Sequence, residues 1–193
     1  SLIHWQYQGD NGVDCGGYPG ALCQQTEWAT SDQDGAQGLS AATVGEPRIT
    51  RWQYVVSGAA AGQVLSVQGP RTDVSDITHF EYDPDTGYRS AMINAAGHRT
   101  LYQDHDAWGR PLRMVDPNNV VTRYRYHPRG WLLEVNAAGA ISRFDYDESG
   151  QLIALHGPEG ASMYMRYDDA MRLIEVRDGR GNALQYSLNG LGE

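Results

Sequence analysis

Arg143-Phe144-Asp145-Tyr146-Asp147-Glu148-Ser149-Gly150-Gln151-Leu152-Ile153-Ala154-Leu155-His156-Gly157-Pro158 is the stretch that decides the fold. Its first four residues alternate charge with ring. Successive side chains of a strand face opposite sides of a sheet, so Phe144 and Tyr146 share one face and Arg143 and Asp145 the other. Asp147 to Gly150 then reads as a tight turn, in which Asp bonds amides ahead of it and Gly accepts positive φ. Leu152 to Leu155 makes the return strand, and Gly157-Pro158 a second turn. The roughly 10 residues of 3.6-residue periodicity that a helix needs are missing.

The same unit recurs on both sides. Tyr82-Asp83 leads to Gly87-Tyr88, His105-Asp106 to Gly109-Arg110, Tyr126-His127 to Gly130-Trp131, and Tyr167-Asp168 to Met171-Arg172. With Tyr146-Asp147 included, the anchors stand 23, 21, 20 and 21 residues apart. Five residues past each turn position is an apolar residue: Val67, Met92, Met114, Val135, Leu155 and Val176. A second turn follows, as at Gly69-Pro70, Asp116-Pro117 and Asp178-Gly179, and Gly97, Gly139, Gly160 and Gly181 or Asn119 opens the next unit. Asn tolerates left-handed backbone better than most residues, so it is a mild replacement there. Each unit is two strands and two turns. On the order of a dozen strands at ~4.8 Å spacing make a sheet wide enough to twist and curl.

Composition agrees. Twelve Tyr and five Trp against two Phe, with 23 Gly, suit short strands and tight turns. A net charge of −9 argues against a nucleic-acid partner, which needs clustered Lys and Arg. No run of ~18 apolar residues offers a membrane span, and Ser1–Tyr7 lacks the layout of a signal peptide.

The chain is expected to divide into residues 1–48, an irregular N-terminal segment with a few strands, and 49–193, an array of about six hairpin units whose C-terminus is expected to be cut from a longer protein. Thr50–Val56 and Gly62–Val67 form the first hairpin of the array. Ile3–Tyr7 echoes the Trp-Gln-Tyr of Trp52–Tyr54, and Cys23–Thr30 supplies one strand within the Gly-, Ser-, Asp- and Gln-rich stretch Val13–Pro47. Cys15 and Cys23 fit either a local disulfide staple or two free thiols. Tyr186, Leu188-Asn189 and Gly190 begin one further unit.

Tyr-Asp followed by Gly-Arg or Gly-Gln, then Leu and a Gly-Pro or Asp-Pro turn, resembles the YD repeats of the RHS family and of the related insecticidal toxin-complex and teneurin proteins. Gly69-Pro70-Arg71-Thr72-Asp73-Val74 ahead of a Tyr-Asp pair resembles RHS proteins of Gram-negative bacteria in particular. The resemblance covers residues 49–193. His105 in place of Tyr and Met171 in place of Gly depart from it, and the family's self-cleaving aspartyl core has no counterpart here. It implies a segment of an RHS-type shell, all-β, in which the strands wind around a C-terminal toxin or effector domain. The implied partners are the other repeats of the parent shell and this cargo, in a protein secreted from, or displayed on, a Gram-negative bacterium, with its export signal outside this chain.

No catalysis, metal or cofactor is expected. His4, His79, His98, His105, His127 and His156 fall at different offsets and form no metal-ligand pair. Asp83, Asp106, Asp147 and Asp168 recur once per unit, which marks them as turn-formers, because an active site needs one constellation. Tyr88, Trp108 and Trp131 flank turn glycines and are the candidate glycan-binding residues, as in a carbohydrate-recognition or cell-surface module; the plainer reading has them covering neighbouring turns. Arg123, Arg125, Arg143 and Arg166 are expected to form a cross-strand ladder with Glu134 and Asp145, each exposed pair contributing ~0.2–1 kcal/mol.

Overall fold

The computed structural model describes residues 1–32, 36 and 38–189; Gly190, expected in a last turn, lies outside them. Among the described residues there are fifteen strands, three short 3-10 turns (Asp10–Gly12, Gly38–Ser40 and Pro158–Gly160) and no α-helix. Chain order is also strand order. The chain falls into two compact units, Ser1–Tyr102 and Gln103–Glu193.

The first unit holds β1 (Leu2–Tyr7), β2 (Leu22–Thr30), β3 (Thr43–Tyr54), β4 (Val64–Gln68), β5 (Ile77–Tyr82), β6 (Arg89–Ile93) and most of β7 (Arg99–His105). Each strand pairs antiparallel with the one before it. β2 starts one residue before the expected Cys23. β3 starts seven residues before the expected Thr50 and crosses the join between residues 48 and 49, because Thr43 and Val44 pair with Thr30 and Ala29. Pro47 cannot donate to a ladder, and the sheet absorbs it in a bulge. The partners shift between Glu27↔Arg48 and Ala29↔Val44, and Gly45 in the bulge takes φ 74°. Cys15 and Cys23 are disulfide-bonded, which settles the alternative left open by the sequence.

The second unit holds β8 (Pro111–Val115), β9 (Val121–Tyr126), β10 (Leu132–Ala137), β11 (Ala140–Tyr146), β12 (Leu152–His156), β13 (Ser162–Tyr167), β14 (Leu173–Asp178) and β15 (Ala183–Gln185), again antiparallel in succession. The expected alternation holds: Arg123, Arg125, Arg143 and Asp145 are exposed, and Tyr124, Tyr126, Phe144 and Tyr146 are half-buried. The recurrent apolar position lines up across strands, as in Phe144↔Leu155↔Met163 and Met165↔Val176↔Leu184. The buried apolar residues are all small, with Ala91 at 0% and Ala154 at 6% exposure, and no large side chain is fully buried among the described residues.

A feature of each Tyr-containing hairpin escapes sequence reading. The register shifts one residue before the return strand straightens: Gln53↔Ser66 but Tyr54↔Val64, Glu81↔Ala91 but Tyr82↔Arg89, Arg125↔Glu134 but Tyr126↔Leu132, Asp145↔Ala154 but Tyr146↔Leu152, Arg166↔Glu175 but Tyr167↔Leu173. The extra residue is Leu65, Ser90, Leu133, Ile153 or Ile174. A bulge at the same place in these five hairpins bends each the same way and increases its local twist.

Candidate functional site: the rim of turns

The turn acids act as backbone clamps. Asp147 Oδ1 accepts the amides of Ser149 and Gln151, Asp168 Oδ1 those of Ala170 and Arg172, and Asp106 Oδ1 those of Trp108 and Arg110. The second carboxylate oxygen takes Gln151 Nε2 at 2.8 Å, Arg172 Nε at 2.8 Å and Arg110 Nε at 2.7 Å. Asp116 and Asp178 repeat the clamp in the second turn of their units, and Asn94 does so as an amide. Where His127 replaces Asp, its Nδ1 accepts the Arg129 amide. The Gln151 amide holds the Asp147 carboxyl below the usual range, the Arg172 side chain does the same for Asp168, and the Asn182 side chain for Asp178. For Asp106, burial pushes the pKa up, but Arg110 and the two amides outweigh it and the net direction is down. These carboxylates are ionised and fully engaged in holding loops, which is the opposite of a group poised to transfer a proton.

In four units the residue after the turn position reaches the next turn. Gln63 Nε2 donates to the Gly87 carbonyl at 2.6 Å, and Arg172 Nη1 to the Asn189 carbonyl at 3.0 Å. A Cβ at Gly130 would lie 3.3 Å from Arg110 Nη1, and one at Gly150 would lie 2.6 Å from the Trp131 ring. Glycine is needed at residue 150 twice over, for φ 90° and for this approach. The Tyr of the Tyr-Asp pair ties hairpins together one layer deeper. Tyr82 Oη donates to the Val64 carbonyl at 2.6 Å and Tyr167 Oη to the Leu152 carbonyl at 3.0 Å. Both acceptors sit at the bulge of the preceding hairpin. Tyr54 reaches the Leu22 carbonyl in the same manner. The sequence signal was the recurrence of Tyr where Phe or Val would serve a merely apolar face.

Trp131 is half-buried, stacked on His127 at 4.7 Å and tilted against Tyr146 at 5.4 Å, with the Arg129 guanidinium over it at 5.5 Å. It lies on one side of an open depression of about 780 Å³ whose other side is Phe144 and Tyr146 to Glu148. Trp108, at the tip of its turn, is 77% exposed. Tyr88 occupies the position after Gly87 in the first unit, and it is half-buried. The three candidates therefore take two different places in the turn, and no ring contact joins Trp108 to Trp131 among the described residues.

The charge ladder differs in its partners from the expected one. Arg125 and Arg143 both converge on Glu134, at 3.6 and 3.0 Å, but Arg166 goes to Glu175 and Asp145 goes to His156 at 3.1 Å. Arg123 joins no ion pair among the described residues. Glu175 was missed: its side chain is 7% exposed beneath Arg166, Arg177 and Gln185, and the Gln185 amide leads in holding its carboxyl down. It sits four residues past the turn position, where Ser66, Ala91 and Ala154 are also buried. No group of three or more potential metal ligands occurs among the described residues, and no described helix is long and apolar enough to cross a membrane.

Comparison with known proteins gives concordant results. The family described as Teneurin YD-shell matches residues 48–188. Toxin protein Tse5 of Pseudomonas aeruginosa is 33% identical over 123 residues, which are 58% of this chain and 8% of that protein. A Photorhabdus luminescens Tc holotoxin pore structure aligns over 81% of this chain and 8% of its own at 17% identity, with a TM-score of 0.55. TcdB2-TccC3-TEV aligns over 99% and 12% at 14% identity, with a TM-score of 0.61. At these identities the structural likeness concerns the fold alone, and the chain spans a small part of the length of each of these relatives.

Proposed function

The chain belongs to the YD-shell family, and from that membership we propose that it forms a length of wall in a shell enclosing a secreted toxin or effector. The observation that carries this reading is the way successive hairpins are tied together: by the ladder, by Tyr hydroxyls that reach the previous bulge, and by side chains that cover the next turn. Each hairpin supplies the surface the next one needs, so the array extends by addition, as in other repeat proteins. The toxin named in a curated relative, and the toxin-complex structures among the fold's neighbours, support a toxin-related cargo. The wall has no chemistry of its own in this reading, because its recurrent acids are spent on turns.

The same reading makes the other repeats of the parent shell and the enclosed domain the partners, and gives the protein a secreted or cell-surface place in a Gram-negative bacterium. The Cys15–Cys23 disulfide supports an oxidising compartment. Residues 1–48 serve in the wall as an adapted opening segment ahead of the regular repeats of 49–193. Protease protection tests the central reading. In the natural reading frame that carries this chain, polypeptide enclosed by the repeats is expected to survive a protease dose that digests it once denaturant has opened the shell. Equal digestion before and after opening would contradict it.

The 77% exposure of Trp108 favours a second role, stacking on a sugar ring at the rim. Trp131 and Tyr88 would flank that surface, though the first is largely occupied with its neighbours. Saturable glycan binding with a component that Trp108→Ala removes and Trp131→Phe leaves intact is the expected result; the absence of any component sensitive to Trp108 would remove the rim from consideration.

A further inference from the structure

We propose that the polar face of the first unit holds a second, separate site, for an uncharged saccharide. A hollow of about 350 Å³ lies over β1 to β5, with the disulfide-pinned segment Val13–Cys15 along one side. That volume falls within the range of small-molecule sites, ~300–1,000 Å³. Antiparallel register sets its floor. Gln6, Gln24, Arg51 and Gln68 stand opposite one another in a row across four strands, and Gln53 and His79 flank Ser66 in the next row.

The side chains of Arg51, Gln68 and His79 have no partner among the described residues. Others are only partly engaged. Gln24 Nε2 donates to Gln6 Oε1 at 2.8 Å and to Thr26 Oγ1 at 3.1 Å, which leaves Gln24 Oε1 and Gln6 Nε2 available. Gln53 Oε1 accepts from Ser66 Oγ, which leaves its amide nitrogen available. The hollow therefore presents paired amide donors and acceptors, one guanidinium and one imidazole, all directed to one space.

The chemistry of the lining selects the ligand class. A carboxamide offers a donor and an acceptor side by side, and a hydroxyl is both at once, so a field of amides matches a polyol. Arg51 is the one cation of the lining. The one carboxylate, Asp14, accepts the Gly16 amide and Gln8 Nε2 through Oδ1 alone, so its charge stands against that of Arg51 and the lining concentrates no net charge for an anion. A peptide strand would bind by ladder pairing at a sheet edge. Here β2, β3 and β4 are paired on both sides, and recognition falls to side chains alone.

The test uses the full chain on an array of neutral and acidic oligosaccharides, with inorganic phosphate and glycylglycine measured alongside by calorimetry. Saturable binding of at least one neutral oligosaccharide is expected. It should weaken about tenfold or more in Arg51→Ala and again in Gln68→Ala, both on exposed positions, with the circular dichroism spectrum unchanged. Trp108→Ala should leave this binding intact, which separates the site from the rim. Absence of neutral-glycan binding, tighter binding of phosphate or glycylglycine, or binding indifferent to both substitutions would each overturn the proposal. Protease protection of a shell cargo is independent of all these outcomes.

Discussion

Gly150 holds φ 90° under the Trp131 ring, so Gly150→Ala meets two penalties at once: left-handed backbone for an L-residue and a methyl thrust against an aromatic ring. The expected loss of stability is about 2–4 kcal/mol, read as a lower urea midpoint. Met171 presents the opposite case. It stands where the other units have Gly, takes φ 62°, and its side chain is 62% exposed, so little packing is at stake. Met171→Gly is expected to raise stability by about 1 kcal/mol in the same assay. The turn acids set the acid limit. Asp147, Asp168 and Asp178 have folded pKa values below their unfolded ones. Such groups stabilise the fold above about pH 4 and stop doing so as pH falls through the folded values. Thermal midpoints should therefore fall below pH 4. Asp147→Asn, which keeps the accepting oxygen as Asn94 does, should flatten part of that decline. An unchanged pH profile in Asp147→Asn would count against the clamp.

At the scale of the hairpin, the Tyr hydroxyl and the bulge belong together. A bulge disrupts the local ladder, and at Leu22, Val64 and Leu152 the Tyr of the following hairpin donates to the carbonyl at that point. Tyr82→Phe keeps the ring and removes only the donor to Val64, so a loss of about 1 kcal/mol is expected in chemical denaturation. An unaltered midpoint would reduce the Tyr to a space-filler. The hairpins themselves were legible in the sequence, because a turn Asp four residues before a chain reversal and a period-two alternation each have a direct local cause. The bulges were not. Leu65, Ser90, Leu133, Ile153 and Ile174 share no composition that marks them, since the shift arises from pairing with the partner strand. The early start of β3 was hidden for the same reason, with Gly45 and Pro47 reading as breakers until β2 is alongside. The exposed alternation was visible at Arg125 and Arg143, but their convergence on Glu134, and the burial of Glu175, depend on which strands become neighbours.

Across the chain, the order of strands follows the order of residues, so stability is a sum of local links, with no large side chain fully buried among the described residues. The family resemblance followed from the spacing of five units, and the fold and the family match both agree with it. The rim candidates were only partly legible: sequence placed Tyr88, Trp108 and Trp131 near turns, but could not tell the exposed Trp108 from Trp131 packed over Gly150. A wall requires pairing between hairpins as well as within them, and the contact of β12 with β13 is where this can be read. Nuclear Overhauser effects between backbone protons of the two strands should connect Ala154 with Tyr164 and Leu155 with Met163 as strongly as they connect Asp145 with Ala154 inside the hairpin. Contacts confined to the hairpin, with β12 and β13 showing none to each other, would contradict the wall.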